Sequence, residues 1–241
     1  IPKYALLAMS LPVADETWLL SFSKGFMTQA EKYGVELIGG DTTKGPLAIC
    51  IQIIGELDAE FALRRDGAKP GDEIWVSGNL GDAALALSHL NGEIMLAEDQ
   101  AEYCLRALRD PVPRVELGLA LAGISRCAID ISDGFCADLS HILEKSNVSA
   151  VVEYGSLPVS ETMEKFRSMK AGQRAILSGG DDYELCFTAS PEKSIDVIST
   201  GKSLGMKLAK VGKIAEGRGL VVLDGGGRPM NTGKKGYAHF S

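Results

Sequence analysis

Three short acidic clusters hold the residues with the most chemical reach: Gly39-Gly40-Asp41-Thr42, Asp130-Ile131-Ser132-Asp133-Gly134 and Gly179-Gly180-Asp181-Asp182-Tyr183-Glu184. Each is read at one end of an apolar strand, the third leading into its strand, where a rigid sheet carries functional loops. Glycine beside a carboxylate lets the backbone come close to a phosphate. Carboxylates are hard oxygen donors of the kind magnesium prefers, and magnesium in turn holds phosphates. Along an extended strand, positions 130 and 132 point to one side, and Asp133 falls at the turn into the next helix. Asp130, Ser132 and Asp133 can therefore converge on one metal–phosphate group. Any single cluster is as readable as a cap or a solvated turn, and Asp133 is well placed to be a helix N-cap. Three in one chain favour a metal–phosphate site.

The remaining motifs are weaker. Thr200-Gly201-Lys202-Ser203 looks like the end of a phosphate-binding P-loop, but that pattern needs glycine at position 196, which is Asp196, and the segment falls within a helix. Gly225-Gly226-Gly227 reads as a hairpin turn. His89, His141 and His239 are too far apart to show metal-ligand spacing, and His141 is expected on or beside a packed helix face. No GxSxG elbow occurs, so nucleophilic catalysis has no candidate, and no catalytic residue is assigned. Arg65, in a polar loop, reads by default as a solvated charge, although a guanidinium there can grip a phosphate.

These residues need a scaffold. Tyr4–Leu11 reads as a strand. Asp15 caps a helix with Leu19, Phe22, Phe26 and Ala30 at helical spacing, and Gly34 stops it. Val35–Ile38 is a short strand ending at Gly39, and Leu47–Ile54 is another. Polar residues 58–72 form a loop, and the domain boundary is placed within Glu56–Gly71. Helices follow over 82–90 and 97–109, and a third begins with Pro113 in its first turn. Strand Cys127–Ile131 feeds a helix bearing Leu139, Ile142 and Leu143. Further strands are read at 150–154, 183–188, 207–214 and 220–223, the last two as a pair. Alternation without strict β–α repeats implies an α+β fold, with mixed or antiparallel sheets covered by helices on one face.

The bulk numbers exclude some classes. The chain has 241 residues and a net charge of −7, which argues against a broad nucleic-acid surface. No run approaches the roughly 20 apolar residues a membrane span needs, and the first residues show no signal-peptide pattern. The five cysteines form no CxxC pair and read as reduced, buried thiols of a cytoplasmic protein.

Taken together, Leu37-Ile38-Gly39-Gly40-Asp41-Thr42-Thr43, Gly67-Ala68-Lys69-Pro70-Gly71-Asp72, Ala128-Ile129-Asp130-Ile131-Ser132-Asp133-Gly134, Leu177 to Leu185 and the terminal Lys235-Gly236-Tyr237-Ala238-His239-Phe240 resemble the thiamine-monophosphate kinase family, in its order and spacing. The wider superfamily includes aminoimidazole ribonucleotide synthetase, selenophosphate synthetase and a hydrogenase maturation protein. The resemblance implies a two-domain fold, with residues 1–60 the remainder of an N-terminal ATP-binding domain and 61–241 a C-terminal α+β domain. It also implies a homodimer paired through the N-terminal domains, ATP as co-substrate, and Mg2+. It assigns Asp41, Asp130 and Asp133 as magnesium ligands; Gly40, Asp41, Arg65 and Ser132 as ATP contacts; and Asp181 and Tyr237 as contacts to thiamine monophosphate. Transfer would be in line and direct, needing no strong base because the attacking phosphate oxygen is already largely ionised.

The family's further N-terminal segment, with a Gly-Asp-Asp and a Ser-Thr-Asp word, has no match here. The N-terminal domain is therefore expected to be incomplete, and this exact chain to bind MgATP weakly and turn over poorly. The alternatives are a related ATP-dependent enzyme acting on another acceptor, a non-catalytic nucleotide-binding fragment, and a structural protein whose acidic turns are only caps.

Overall fold

The computed structural model describes residues 1–231, which fall into two compact units, Ile1–Glu60 and the residues from Phe61 on. The first unit holds strand β1 (Pro2–Leu11), helix α1 (Glu16–Lys32), β2 (Glu36–Lys44) and β3 (Ala48–Gly55). The sheet order is β2-β1-β3, with β1 parallel to β2 and antiparallel to β3. Asp15 caps α1 by accepting the Trp18 N–H at 3.1 Å. Gly34, at φ +64°, ends it.

One boundary differs from the sequence reading. Strand β2 does not stop at Ile38 but runs on through Gly39–Thr43, pairing Gly39, Gly40 and Asp41 with Leu6, Leu7 and Ala8. A close approach explains the glycine: a Cβ on Gly40 would collide with the Leu7 carbonyl oxygen. The glycine pair that reads as a loop therefore serves strand pairing. Only Ala5, Leu11 and Ala30 of this unit are buried, while Ile49, Ile51 and Ile53 of β3 stay exposed.

The second unit contains β4 (Glu73–Ser77), α2 (Asp82–Leu90), α3 (Glu98–Arg109), α4 (Val115–Ala120), β5 (Cys127–Ile131), α5 (Phe135–Ser146), β6 (Ser149–Glu153), α6 (Glu161–Glu164), α7 (Lys170–Ser178), β7 (Glu184–Ala189), α8 (Ser194–Ser203), β8 (Leu208–Ala215) and β9 (Gly219–Leu223). They form one mixed sheet in the order β5-β7-β4-β8-β6-β9. All neighbours are antiparallel except β6 and β9, which run parallel. Strands β8 and β9 do not pair with each other, contrary to the sequence reading: β6 lies between them. Among the described residues no helix is long and apolar enough to cross a membrane.

Alternation along the strands builds two cores, not one. Ile74 and Val76 join a large cluster with Leu85, Phe135, Leu139, Ile142 and Ile176, whereas Trp75 between them joins Leu117, Leu121, Phe187 and Val197 on the opposite face. The sheet is covered on both faces, with α2, α5 and α7 on one and α4 and α8 on the other. The expectation of helices on a single face missed the second layer although both of its helices were read: which face a helix covers is set by the strands it packs on, and α4 itself begins at Val115, after Pro113, and is only six residues long.

Candidate functional site

Strand β5 delivers the second acidic cluster. Cys127, Ile129 and Ile131 pack into the large core, while Ala128 faces the smaller one, so Asp130 and Ser132 emerge on the Ala128 side. The turn that follows is built around Asp138, in the first turn of α5. Its Oδ2 accepts the backbone N–H groups of Ser132, Asp133 and Gly134 at 3.0, 3.0 and 3.1 Å. Burial pushes the Asp138 carboxyl up to about 6. The nearby charges of Asp133 and Asp130 push the same way, and the bonds from the Asp133 and Ser132 amides act against them. Asp133 is therefore not the side-chain cap of α5; the N-cap is Gly134, at φ +113°.

The third cluster is strapped to this turn. The Asp181 N–H donates to the Ser132 carbonyl at 3.0 Å and the Tyr183 N–H to the Ile131 carbonyl at 2.8 Å. The fit tolerates no side chain: a Cβ on Gly180 would collide with the Ser132 carbonyl oxygen, and one on Gly134 would lie 2.7 Å from the Ser178 carbonyl carbon. Asp181 and Tyr183 adopt left-handed backbones, at φ +66° and +50°, which is unusual for a tyrosine. Such strain concentrates at functional sites. The Tyr183 hydroxyl donates to Asp181 Oδ1 at 3.1 Å.

Between β5 and α4 lies a groove of about 720 Å3 lined by Arg65, Asp130, Ser132 and Asp133, with Asp138, Tyr183, Arg114 and His141 also on its walls. Pro111, Pro113, Val115 and Leu63 give it an apolar side. Arg114 is fixed by a two-point ion pair to Glu184, with Nε 2.7 Å from Oε2. Glu184 also accepts from the Ser77 hydroxyl at 2.6 Å.

Four predicted site residues thus share one groove: Arg65, Asp130, Ser132 and Asp133. Asp181 joins them through Tyr183 and Ser132. Gly40 and Asp41 lie in the first unit, where Asp41 Oδ1 accepts its neighbour Thr42's N–H at 2.8 Å. Tyr237 lies outside the described residues. His141, expected on or beside a packed face, is exposed and lines the groove. Sequence reasoning missed Asp138 and Arg114, and placed Asp182 and Tyr183 in their cluster without a role. An acidic residue four positions after a glycine at a helix start was the available signal for Asp138, and it reads there as a complement to the helix dipole.

The donor set suits a hard cation. Asp130 and Asp133 form no ion pair among the described residues, and no three His, Cys, Asp or Glu side chains among those residues converge as a metal cage. Two carboxylates with phosphate and water completing the sphere is how magnesium is commonly held.

The AIR synthase related protein N-terminal domain matches residues 1–57 and the corresponding C-terminal domain matches residues 69–225. Thiamine-monophosphate kinase of Haemophilus influenzae is 43% identical over 99% of this chain and 74% of its own length. The Escherichia coli K12 enzyme is 38% identical over 100% and 74%. The solved structure of thiamine-monophosphate kinase from Stenotrophomonas maltophilia superposes with a TM-score of 0.88 at 40% identity, over 95% of this chain and 73% of that one. AaThiL complexed with AMPPCP and TMP superposes at 0.81 and 27% identity, over 100% and 74%.

Proposed function

This chain belongs to the AIR synthase-related family and, within it, to the thiamine-monophosphate kinases, and from that premise we propose how its residues act. The enzyme transfers the γ-phosphate of ATP to thiamine monophosphate, giving thiamine diphosphate. An oxygen of the acceptor phosphate forms the new bond to phosphorus as the bond to the departing ADP oxygen breaks. Because that oxygen is already largely ionised, positioning and charge neutralisation carry the rate.

The observation that supports the residue roles is the one groove shared by Arg65, Asp130, Ser132 and Asp133. Asp130 and Asp133 would hold Mg2+, and Asp41 keeps the ligand role its motif implies; the bound ion would neutralise charge on the phosphates. Arg65 grips a phosphate, and the Ser132 hydroxyl donates to another phosphate oxygen. Asp181 faces the cationic thiazolium, the role the motif also gives Tyr237. Residues 1–60 act as part of the ATP-binding domain and 61–241 as the C-terminal domain. A homodimer through the first unit is supported by its exposed isoleucines. A cytoplasmic setting suits thiols such as Cys104 and Cys136, which burial pushes up to about 12 and so keeps protonated.

The test is thiamine diphosphate formation from MgATP and thiamine monophosphate, quantified by chromatography in the full-length protein. Asp130→Asn and Asp133→Asn are expected to lower kcat at least about 100-fold while leaving the melting temperature near that of the parent. Full turnover by both variants would sink the assignment of these carboxylates.

A further inference from the structure

The turn at residues 132–134 has the form of an anion-binding nest: three consecutive backbone N–H groups converge on one point at the start of α5. Such concavities commonly cradle phosphate. Here the point of convergence is occupied by the chain's own carboxylate, Asp138 Oδ2, from a residue only 3% exposed. The same turn is fixed from its other side, where the Ser132 and Ile131 carbonyls accept from Asp181 and Tyr183. Ser132 is thus held through both its N–H and its C=O, and Asp133 through its N–H.

We propose that Asp138 is a positioning residue acting as an internal anion: it fills the nest, denies those amides to the nucleotide, and so commits the turn to binding phosphate through the metal-holding carboxylates Asp130 and Asp133. This inference rests on the metal role proposed above for that pair. Two consequences follow from the geometry. With Asp138 in place, a phosphate arriving without a cation meets the carboxylates of Asp130 and Asp133 and finds the amides of residues 132–134 already taken. With Asp138 removed, the nest opens into the groove, since Asp138 itself lines it, and the turn becomes a direct phosphate site while losing the support that aims Asp133 and Ser132.

The role predicts opposite changes in two affinities, which loss of structure alone does not produce. ADP binding is measured by calorimetry on the full-length protein, once with excess Mg2+ and once in EDTA, for the parent, Asp138→Ala and Asp138→Asn. For Asp138→Ala, MgADP affinity is expected to fall about 10-fold or more, and metal-free ADP affinity to rise about fivefold, the scale of a helix-terminus interaction with an anion. Asp138→Asn keeps an oxygen acceptor without the charge and is expected to lie between, which keeps the test available if the alanine variant does not fold. If a cooperatively melting variant loses MgADP affinity without gaining metal-free affinity, or if neither affinity moves, the inference falls. Asp133→Asn separates the two levels: if it too leaves MgADP binding unchanged, the metal reading itself has failed, whereas a large loss there beside an unaltered Asp138→Ala refutes only the internal-anion role.

Discussion

The Asp182 carboxylate takes the Gly81 N–H between its two oxygens, at 2.9 and 3.1 Å, tying the loop that carries Asp181 to the start of α2. Desolvation holds this carboxyl well above the usual carboxylate range, and the charges of Asp82, Glu184 and Asp181 raise it further, while the Gly81 bond acts in the other direction. Truncation to Asp182→Ala leaves the Gly81 amide without its acceptor and is expected to cost about 1–3 kcal/mol. Asp182→Asn retains an acceptor and relieves the like charges, so it should remain within about 1 kcal/mol of the parent. Urea denaturation of both variants checks this. Equal losses for the two would show that the bond to Gly81 is not what matters.

Asp82, beside Gly81, gives a pH dependence with a definite sign. It is 4% exposed, its Oδ1 accepts from the Ser160 hydroxyl at 2.6 Å, and burial pushes its carboxyl up to about 6. The unfolded chain binds this proton only below about 3.9. Between those values the native state holds more protons, so the Asp82 contribution to stability falls as pH rises from about 4 to about 6 and is flat above. Relative to Asp82→Asn, the parent should lose about 2–3 kcal/mol between pH 4 and pH 7.5. A difference between the two proteins that does not vary with pH would remove Asp82 as the source.

Arg114 and Glu184 are expected to behave as a unit. Glu184 is 5% exposed and depends on the two-point contact with Arg114. Arg114→Met strands that buried charge, at an expected cost of about 3–5 kcal/mol, and the double variant Arg114→Met with Glu184→Gln should recover most of it. A double variant no more stable than Arg114→Met, by chemical denaturation, would contradict this coupling.

What could be read in advance followed from local physics. Asp15 and Gly34 delimit α1 because capping and left-handed stops are decided within a few residues. The pattern of Leu139, Ile142 and Leu143 gave α5 its buried side for the same reason. Asp130 and Ser132 share a face because alternation is fixed by the strand. What escaped depends on residues distant in the chain. Gly39–Thr43 reads as a loop until its pairing with β1 is known. Arg114 looks like a charge after a proline until Glu184, 70 positions on, is beside it. Asp138 was close in sequence but hidden by its helix, since an acid in a first turn has an ordinary explanation that needs no site.

The packing of the two acidic loops also limits how this region can vary. Gly78, Gly134 and Gly180 each stand where a single methyl group would land within 3 Å of Glu184, Ser178 or Ser132 respectively. In a saturation-mutagenesis map these positions will look as intolerant as Asp130 and Asp133, although none has a side chain that could hold a cation or touch a phosphate. Intolerance around this groove therefore has two origins, one chemical and one of space. Change that alters acceptor preference without unseating the loops has room only where side chains already project into the cavity, as at His141, Val115 and Leu63.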